Sequence, residues 1–289
     1  LSLPVAPASH VYFSQRMRLH YIDWGNDAGP PMILVHGIHD HCRTWDDLVA
    51  HFVADYHVIA PDLRGHGDSQ WVLGSSYHYL DYVYDLHQLI TQADVGPVVL
   101  IGHSMGGAIA SIFAGVFPEL VTKLVLIEGI GLWRAMQPQQ PSVDQQIREW
   151  VEATRTLSAR LPRRYTSLSD AYQRMQQANP QLSETQALHL TVHGSNRNED
   201  GTYSWKYDNY THNFSSSGVS SEEMIELWRK IAAPTLIINA GNGLEHRIGQ
   251  DGTLEYFANA ELQVLEDAGH WTYHDDPDRV VRTLQKFLA

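Results

Sequence analysis

One cysteine, Cys42, stands in 289 residues, so no disulfide can close within the chain and cysteine usage leaves the redox compartment open. No apolar run approaches the roughly 20 residues that a bilayer-spanning helix needs. Positive charge is scarce: 20 Lys and Arg against 33 Asp and Glu give a formal charge of −13, with no basic cluster to track phosphates. That balance argues against nucleic acid and anionic membranes as partners, and it favours neutral or cationic substrates only weakly. Internal repeats and low-complexity tracts are missing too. Asn209-Tyr210-Thr211 and Asn213-Phe214-Ser215 match glycosylation acceptors, a string common by chance, and no secretory signal accompanies them. The chain starts at Leu1, which leaves room for a removed targeting segment; a cytoplasmic location is the default expectation.

What the sequence does have is a hydrophobic share of 43%, enough for a full core in one large α/β domain. Strand-like and helix-like stretches alternate. Leu19–Trp24, Met32–Val35, His57–Ala60, Val98–Ile101 and Leu124–Ile127 read as strands. Thr44–Val53, Tyr79–Ala93 and Ala108–Phe117 read as helices. Such alternation implies a mostly parallel sheet with helices on both faces. The rhythm breaks after Gly129, where the chain turns polar and helical with no buried strand, and Met136–Pro141 looks like a linker. It resumes with a helix at Ser221–Ile231, a strand at Thr235–Asn239, a helix near Asp251–Phe257, a strand at Glu261–Leu265 and a helix from Pro277. The expected organisation is a core of residues 1–130 and 221–289 interrupted by a helical lid, 131–220. A surface elaboration without a catalytic role is the alternative. The lid is favoured because the insertion leaves from the sheet edge at which open α/β proteins bind ligands.

The most specific local signal is Gly102-His103-Ser104-Met105-Gly106-Gly107, between a buried strand and a helix. Small-x-Ser-x-small in that context is a nucleophile elbow. The glycines admit a backbone that a Cβ would obstruct, and the turn lifts the hydroxyl to a helix N-terminus. A serine hydroxyl needs a base, an orienter for the base and donors for the oxyanion. His270, on the loop after the last strand, is selected as base by position among 17 histidines. The N–H of Met105, next to the nucleophile, and that of Ile38, after His36-Gly37, are the expected oxyanion donors.

Val35-His36-Gly37, Asp62-Leu63-Arg64-Gly65-His66-Gly67-Asp68-Ser69, Gly102–Gly107 and Gly269-His270 occur in that order along nearly the whole chain. Together they resemble the α/β-hydrolase superfamily. The resemblance implies an α/β-hydrolase fold with an inserted lid and a structural role for the Asp62–Ser69 loop, with His66 and Asp68 outside catalysis. Most relatives carry the triad Asp a few residues after the Thr235–Asn239 type of strand. Here Leu244 of Gly241-Asn242-Gly243-Leu244-Glu245 stands in its place. Glu128, Glu245 and Asp251 remain as substitutes. Some haloalkane dehalogenases use a carboxylate at the position of Glu128. Leu126-Ile127-Glu128-Gly129, Asp40-His41, Trp205-Lys206-Tyr207-Asp208 and Gly269-His270-Trp271 resemble the serine-hydrolase-like branch, and Glu128 is the expected acid.

The expected activity is therefore a cofactor-free serine hydrolase acting on small-molecule carboxylic esters through an acyl-enzyme. Dehalogenases and epoxide hydrolases of this fold use Asp as nucleophile, against Ser104. A carbon–carbon bond hydrolase and a non-catalytic, receptor-like binder are the alternatives. The string His36-Gly37-Ile38-His39-Asp40-His41 suggests a metallohydrolase only superficially, because the spacing is wrong and His36 is already used by the oxyanion loop. Trp133, Trp150, Trp205, Tyr207 and Tyr210 either shape a pocket or form the lid's own core.

Overall fold

The apolar runs form the middle of an eight-stranded sheet, in a computed structural model that describes residues 6–74, 76–132, 141–213 and 219–289. Its strands are β1 (Ala8–Ser14), β2 (Met17–Asp23), β3 (Pro31–Val35), β4 (His57–Asp62), β5 (Val98–His103), β6 (Val121–Ile127), β9 (Thr235–Asn242) and β10 (Ala260–Gly269). A separate hairpin pairs β7 (Ser195–Arg197) with β8 (Tyr203–Trp205). The order across the sheet is β1-β2-β4-β3-β5-β6-β9-β10. From β4 to β10 every neighbouring pair is parallel, whereas β2 runs antiparallel to both β1 and β4. All residues of β4 and β5 are buried, as expected of parallel strands covered on both faces.

Alternate side chains of the central strands feed two separate cores. Ile33, Val35, Leu100, Leu124 and Leu126 pack on α2 (Tyr79–Gln92), α3 (Met105–Val116) and α7 (Ser221–Lys230). Met32, Leu34, Val99, Ile101, Val125 and Ile127 pack on α1 (Asp46–Val49) and α9 (Pro277–Leu288). Trp228 of α7 is fully buried, and its indole N–H donates to Ser111 Oγ of α3 at 3.0 Å. Truncating such a side chain to Ala costs about 3–5 kcal/mol.

Several elements differ from the sequence reading. β1 is an added strand whose side chains are mostly exposed, so its pattern carries little burial signal. The helix expected over Thr44–Val53 is shorter, a 3₁₀ turn at Cys42–Trp45 followed by the single turn α1. The helix expected near Asp251–Phe257 is a 3₁₀ turn, Thr253–Tyr256.

Between β6 and β9 the chain forms α4 (Val143–Ser158), α5 (Leu168–Ala178), α6 (Glu184–Gly194), the β7–β8 hairpin, a 3₁₀ turn at Asn209–His212, and then α7. Among the described residues of this stretch, the half-exposed hairpin is a strand pair that the sequence reading lacks. Capping boxes start three of these helices, Ser167 with Asp170, Ser183 with Gln186 and Ser220 with Glu223. Side chains pin the segment to loops at one edge of the sheet. Tyr77 donates to Asp208 (2.8 Å), Trp71 Nε1 to the Lys206 carbonyl (3.2 Å), His41 Nε2 to the Leu190 carbonyl (3.1 Å) and Gln186 to the His274 carbonyl (3.1 Å). Trp133, Met136–Gln140 of the expected linker, and Phe214-Ser215 of the second glycosylation string lie outside the described residues. No helix among the described residues is long and apolar enough to cross a membrane.

The loop that follows β4 is anchored by Asp62, whose buried carboxylate takes hydrogen bonds from His20 (2.7 Å), the Cys42 N–H (2.7 Å) and the Asp68 N–H (2.8 Å). Burial alone would raise its pKa, but these partners hold it well below the usual carboxylate range. Gly65 to Ser69 thereby fold back onto the end of β4, a packing role for this loop.

Candidate active site

Ser104 follows β5 directly and caps the N-terminus of α3 with φ 54° and ψ −119°, a conformation that costs a non-glycine residue roughly 1–3 kcal/mol. The surroundings enforce it. Its N–H donates to the Ile127 carbonyl (3.0 Å), and its carbonyl accepts from Gly107 (3.0 Å), Ala108 (3.2 Å) and Ile130 (3.2 Å). The helix sits so close to β3 that a Cβ on Gly106 would overlap the carbonyl oxygens of Val35 and His36.

The strand register explains how distant residues converge. Gly102 pairs with Leu126 and His103 with Ile127, so Ser104 and Glu128 are the next residues along β5 and β6. Both leave the sheet with positive φ, 54° and 50°. β10 ends at Gly269, beside Asn242 of β9, and delivers His270 to the same edge. His270 Nδ1 lies 3.2 Å from Glu128 Oε2, with the carboxylate fully buried and the imidazole one-third exposed. His103 Nε2 donates to the His270 carbonyl at 2.9 Å, tying the residue before Ser104 to the residue opposite Glu128.

Glu128 has more partners than His270. The Ala240 N–H donates to Oε1 (2.6 Å), the Leu244 N–H donates to Oε2 (3.0 Å), and Arg247 Nε lies 3.2 Å from Oε1. Arg247 is buried, and its Nη1 also donates to the Leu244 carbonyl at 2.7 Å. The loop in which Leu244 replaces the expected acid is thus built to clasp an acid arriving from β6. Glu245 and Asp251 are both exposed, Asp251 beside His246 at 3.4 Å.

The oxyanion-loop candidates are also placed by the chain. Gly37 packs on the elbow so tightly that a Cβ there would lie 3.0 Å from Ser104 Cβ. The Leu63 N–H donates to His36 Nε2 (3.0 Å), so Nδ1 carries the ring proton and donates to the Gly37 carbonyl (2.6 Å). Burial keeps this imidazole neutral by lowering its pKa. The Gly37 carbonyl and the Ile38 N–H belong to one planar peptide and point in opposite directions, so His36 also fixes where the Ile38 N–H aims. Met105 is the first residue of α3, where N–H groups lack helical partners. Among the described residues neither N–H has a protein acceptor.

The histidines of the His36–His41 string part company. His36 lies under the Ile38 peptide, His39 stacks on Tyr207 (3.8 Å between ring centroids), and His41 donates to Leu190. A cavity of about 290 Å³ adjoins them, walled by His39, Asp40, Met175, Trp205, Tyr207 and Trp271 among others. His39 and Trp271 are the chain neighbours of Ile38 and His270, while Ser104, Met105, Glu128 and His270 themselves do not line the cavity. Of the inserted aromatics, Trp205 and Tyr207 line it, whereas Tyr210 packs against the main core.

Arg247, His103, Tyr273 and the Ala240 and Leu244 N–H groups escaped the sequence reading. A lone Arg in a loop has no periodic signature; the displaced acid was the available hint that its loop had been rebuilt.

The alpha/beta hydrolase fold family profile matches residues 30–277. The chain belongs to the α/β-hydrolase fold family. Human Serine hydrolase-like protein 2 is 24% identical over 284 residues, covering 92% of this chain and 88% of that protein. That likeness runs over nearly the full length of both chains. An uncharacterized protein of Mycobacterium tuberculosis is 38% identical over 105 residues, and the match spans 36% of this chain and only 30% of that protein. Among solved structures, the thioesterase domain from the curacin biosynthetic pathway superposes with a TM-score of 0.81 at 22% identity, covering 99% of this chain and 100% of that one. At that identity the match speaks for the α/β-hydrolase fold alone.

Proposed function

We propose that the protein is a serine hydrolase that cleaves carboxylic esters through an acyl-enzyme. The observation that carries this reading is the Glu128–His270 pair, buried at one end, at the sheet edge where Ser104 is held in its positive-φ turn. Ser104 Oγ attacks the ester carbonyl while His270 Nε2 takes its proton. Glu128 at Nδ1 keeps the proton on that nitrogen and stabilises the imidazolium that forms. The Ile38 and Met105 N–H groups hold the oxyanion, each such donor contributing about 10²–10³ in rate. His270 then protonates the departing alcohol, and water, activated by the same imidazole, releases the acyl group.

Residues 131–220 act in this reading as a cap over the site. The cavity of about 290 Å³ receives one side of the ester, a volume suited to a small acyl or aryl group. Family members that open epoxides or displace halide use an aspartate nucleophile; Ser104 favours acyl transfer instead. The test is hydrolysis of aryl esters of graded acyl size by the wild type and by Ser104→Ala. Turnover that disappears in Ser104→Ala, with the fold intact by circular dichroism, supports the proposal. Equal turnover in both proteins would refute it.

A further inference from the structure

A second buried carboxyl lies behind the site. Asp40 is 4% exposed, follows the Ile38 loop and forms part of the cavity wall. Oδ1 accepts the His41 N–H at 2.9 Å, and Oδ2 lies 3.3 Å from the hydroxyl of Tyr273, on α8 (Thr272–Asp275). That hydroxyl also lies 3.3 Å from His103 Nδ1. His103 Nε2 faces the His270 carbonyl at 2.9 Å. Two buried side chains, Tyr273 and His103, therefore connect Asp40 to the backbone of His270.

Counting protons decides the state of this chain. A carbonyl only accepts, so His103 Nε2 carries the ring proton, and burial keeps the ring neutral by lowering its pKa. His103 Nδ1 is then an acceptor and requires a donor. Tyr273 has one proton. If Asp40 is ionised, that proton goes to the carboxylate, and the phenol oxygen turns its lone pairs toward the lone pair of His103 Nδ1. If Asp40 is protonated, its O–H donates to Tyr273, Tyr273 donates to His103, and His103 donates to His270. Every atom is then paired. Burial independently raises the Asp40 carboxyl to about 7, against hydrogen bonds from His41, Thr44 and Tyr273 that lower it.

We propose that Asp40 and Tyr273 are positioning residues for His270, holding its backbone through His103 by a hydrogen-bond chain that is complete only while Asp40 keeps its proton. The proposal rests on the serine-hydrolase reading above. The groups facing Asp40 are Tyr273 of α8, with His274 behind Thr44; His103 of β5; Asp62 of β4, whose charge also favours the proton; and His39 and His41 on its own loop. Arg174 of α5 lines the same cavity. His39 and His41 stay neutral because burial lowers each to about 3, so the proton on Asp40 is the change available near neutrality.

The test compares kcat against pH on 4-nitrophenyl acetate for wild type, Asp40→Asn and Tyr273→Phe, alongside melting temperature over the same range. Asn reproduces the protonated carboxyl, because its amide donates to Tyr273 and never ionises. Wild-type kcat is expected to decline several-fold as pH rises through about 7, where Asp40 loses its proton, and Asp40→Asn to lack that decline. Tyr273→Phe, which cuts the chain, is expected to give a lower kcat without the inflection. The melting temperature of the wild type relative to Asp40→Asn is expected to fall through the same pH. An unchanged alkaline decline in Asp40→Asn, or a flat melting difference, would overturn the proposal. Turnover that is absent at every pH would instead sink the hydrolase reading and with it the consequence for His270, while the melting comparison would still report the proton on Asp40.

Discussion

Replacing Glu128 by Gln removes one charge and keeps the shape. With Nδ1 and Oε2 3.2 Å apart, the Coulomb attraction between an imidazolium and the carboxylate at an effective dielectric constant near 20 is about 5 kcal/mol. At 1.36 kcal/mol per tenfold in rate, that sets a ceiling close to 10⁴. Arg247 shares the carboxylate at 3.2 Å and opposes a second positive charge nearby, so the expected loss is smaller, about 10²–10³ in kcat. KM should change little, because the imidazolium exists only along the reaction path. Gln also meets two N–H donors, Ala240 and Leu244, with one oxygen, which leaves a buried clash and costs about 1–3 kcal/mol of stability. The assay is steady-state hydrolysis of 4-nitrophenyl acetate well below the melting temperature of the variant, with near-UV circular dichroism to verify folding. A folded Glu128→Gln with wild-type kcat, or a comparable loss in Glu245→Gln alone, would refute the assignment.

Arg247→Met leaves the buried Glu128 carboxylate without its cation and the Leu244 carbonyl without its donor, and it should cost about 3–5 kcal/mol of stability in urea unfolding; an unchanged midpoint would contradict the geometry. Gly243→Ala puts a Cβ inside the van der Waals shells of Glu128 Oε2 and Arg247 Nη1, and it should lower both kcat and the free energy of unfolding, the latter by about 1–3 kcal/mol as read from urea midpoints. Acid should destabilise the fold already between pH 7 and 5. Burial holds His39, His41 and His274 neutral down to about 3 in the folded chain, whereas in the unfolded chain they protonate near 6.5. Their contribution is complete above 6.5 and is lost as pH falls toward 3, amounting to about 2 kcal/mol each at pH 5. Asp40, raised to about 7, works in the opposite sense and offsets about 2 kcal/mol of this loss between pH 7 and 5. Urea midpoints at the two pH values measure it; an equal or higher midpoint at pH 5 would overturn the estimate.

The parallel strands and the elbow were legible because each has a local cause. β4 and β5 are unbroken apolar runs, and the elbow needs small residues at fixed positions around Ser104. Element lengths were less so: α1 ends after one turn because its continuation, Ala50 to Tyr56, folds back in successive turns that no apolar period marks. β1 carries little signal because an edge strand buries few side chains. At the site, Ser104 and His270 stand beside strand ends visible in the sequence. The Arg247 clasp and the Asp40–Tyr273–His103 chain depend instead on contacts between residues 119 and 233 positions apart, which no spacing rule encodes.

The central claim is that Ser104 is an activated nucleophile. Incubation with a fluorophosphonate followed by intact-mass and peptide mass spectrometry tests it directly. The account predicts one adduct per chain, located on Ser104, formed rapidly by the wild type and slowed at least as strongly by His270→Ala as ester hydrolysis is. No adduct, or an adduct on a different residue that persists in Ser104→Ala, would contradict it.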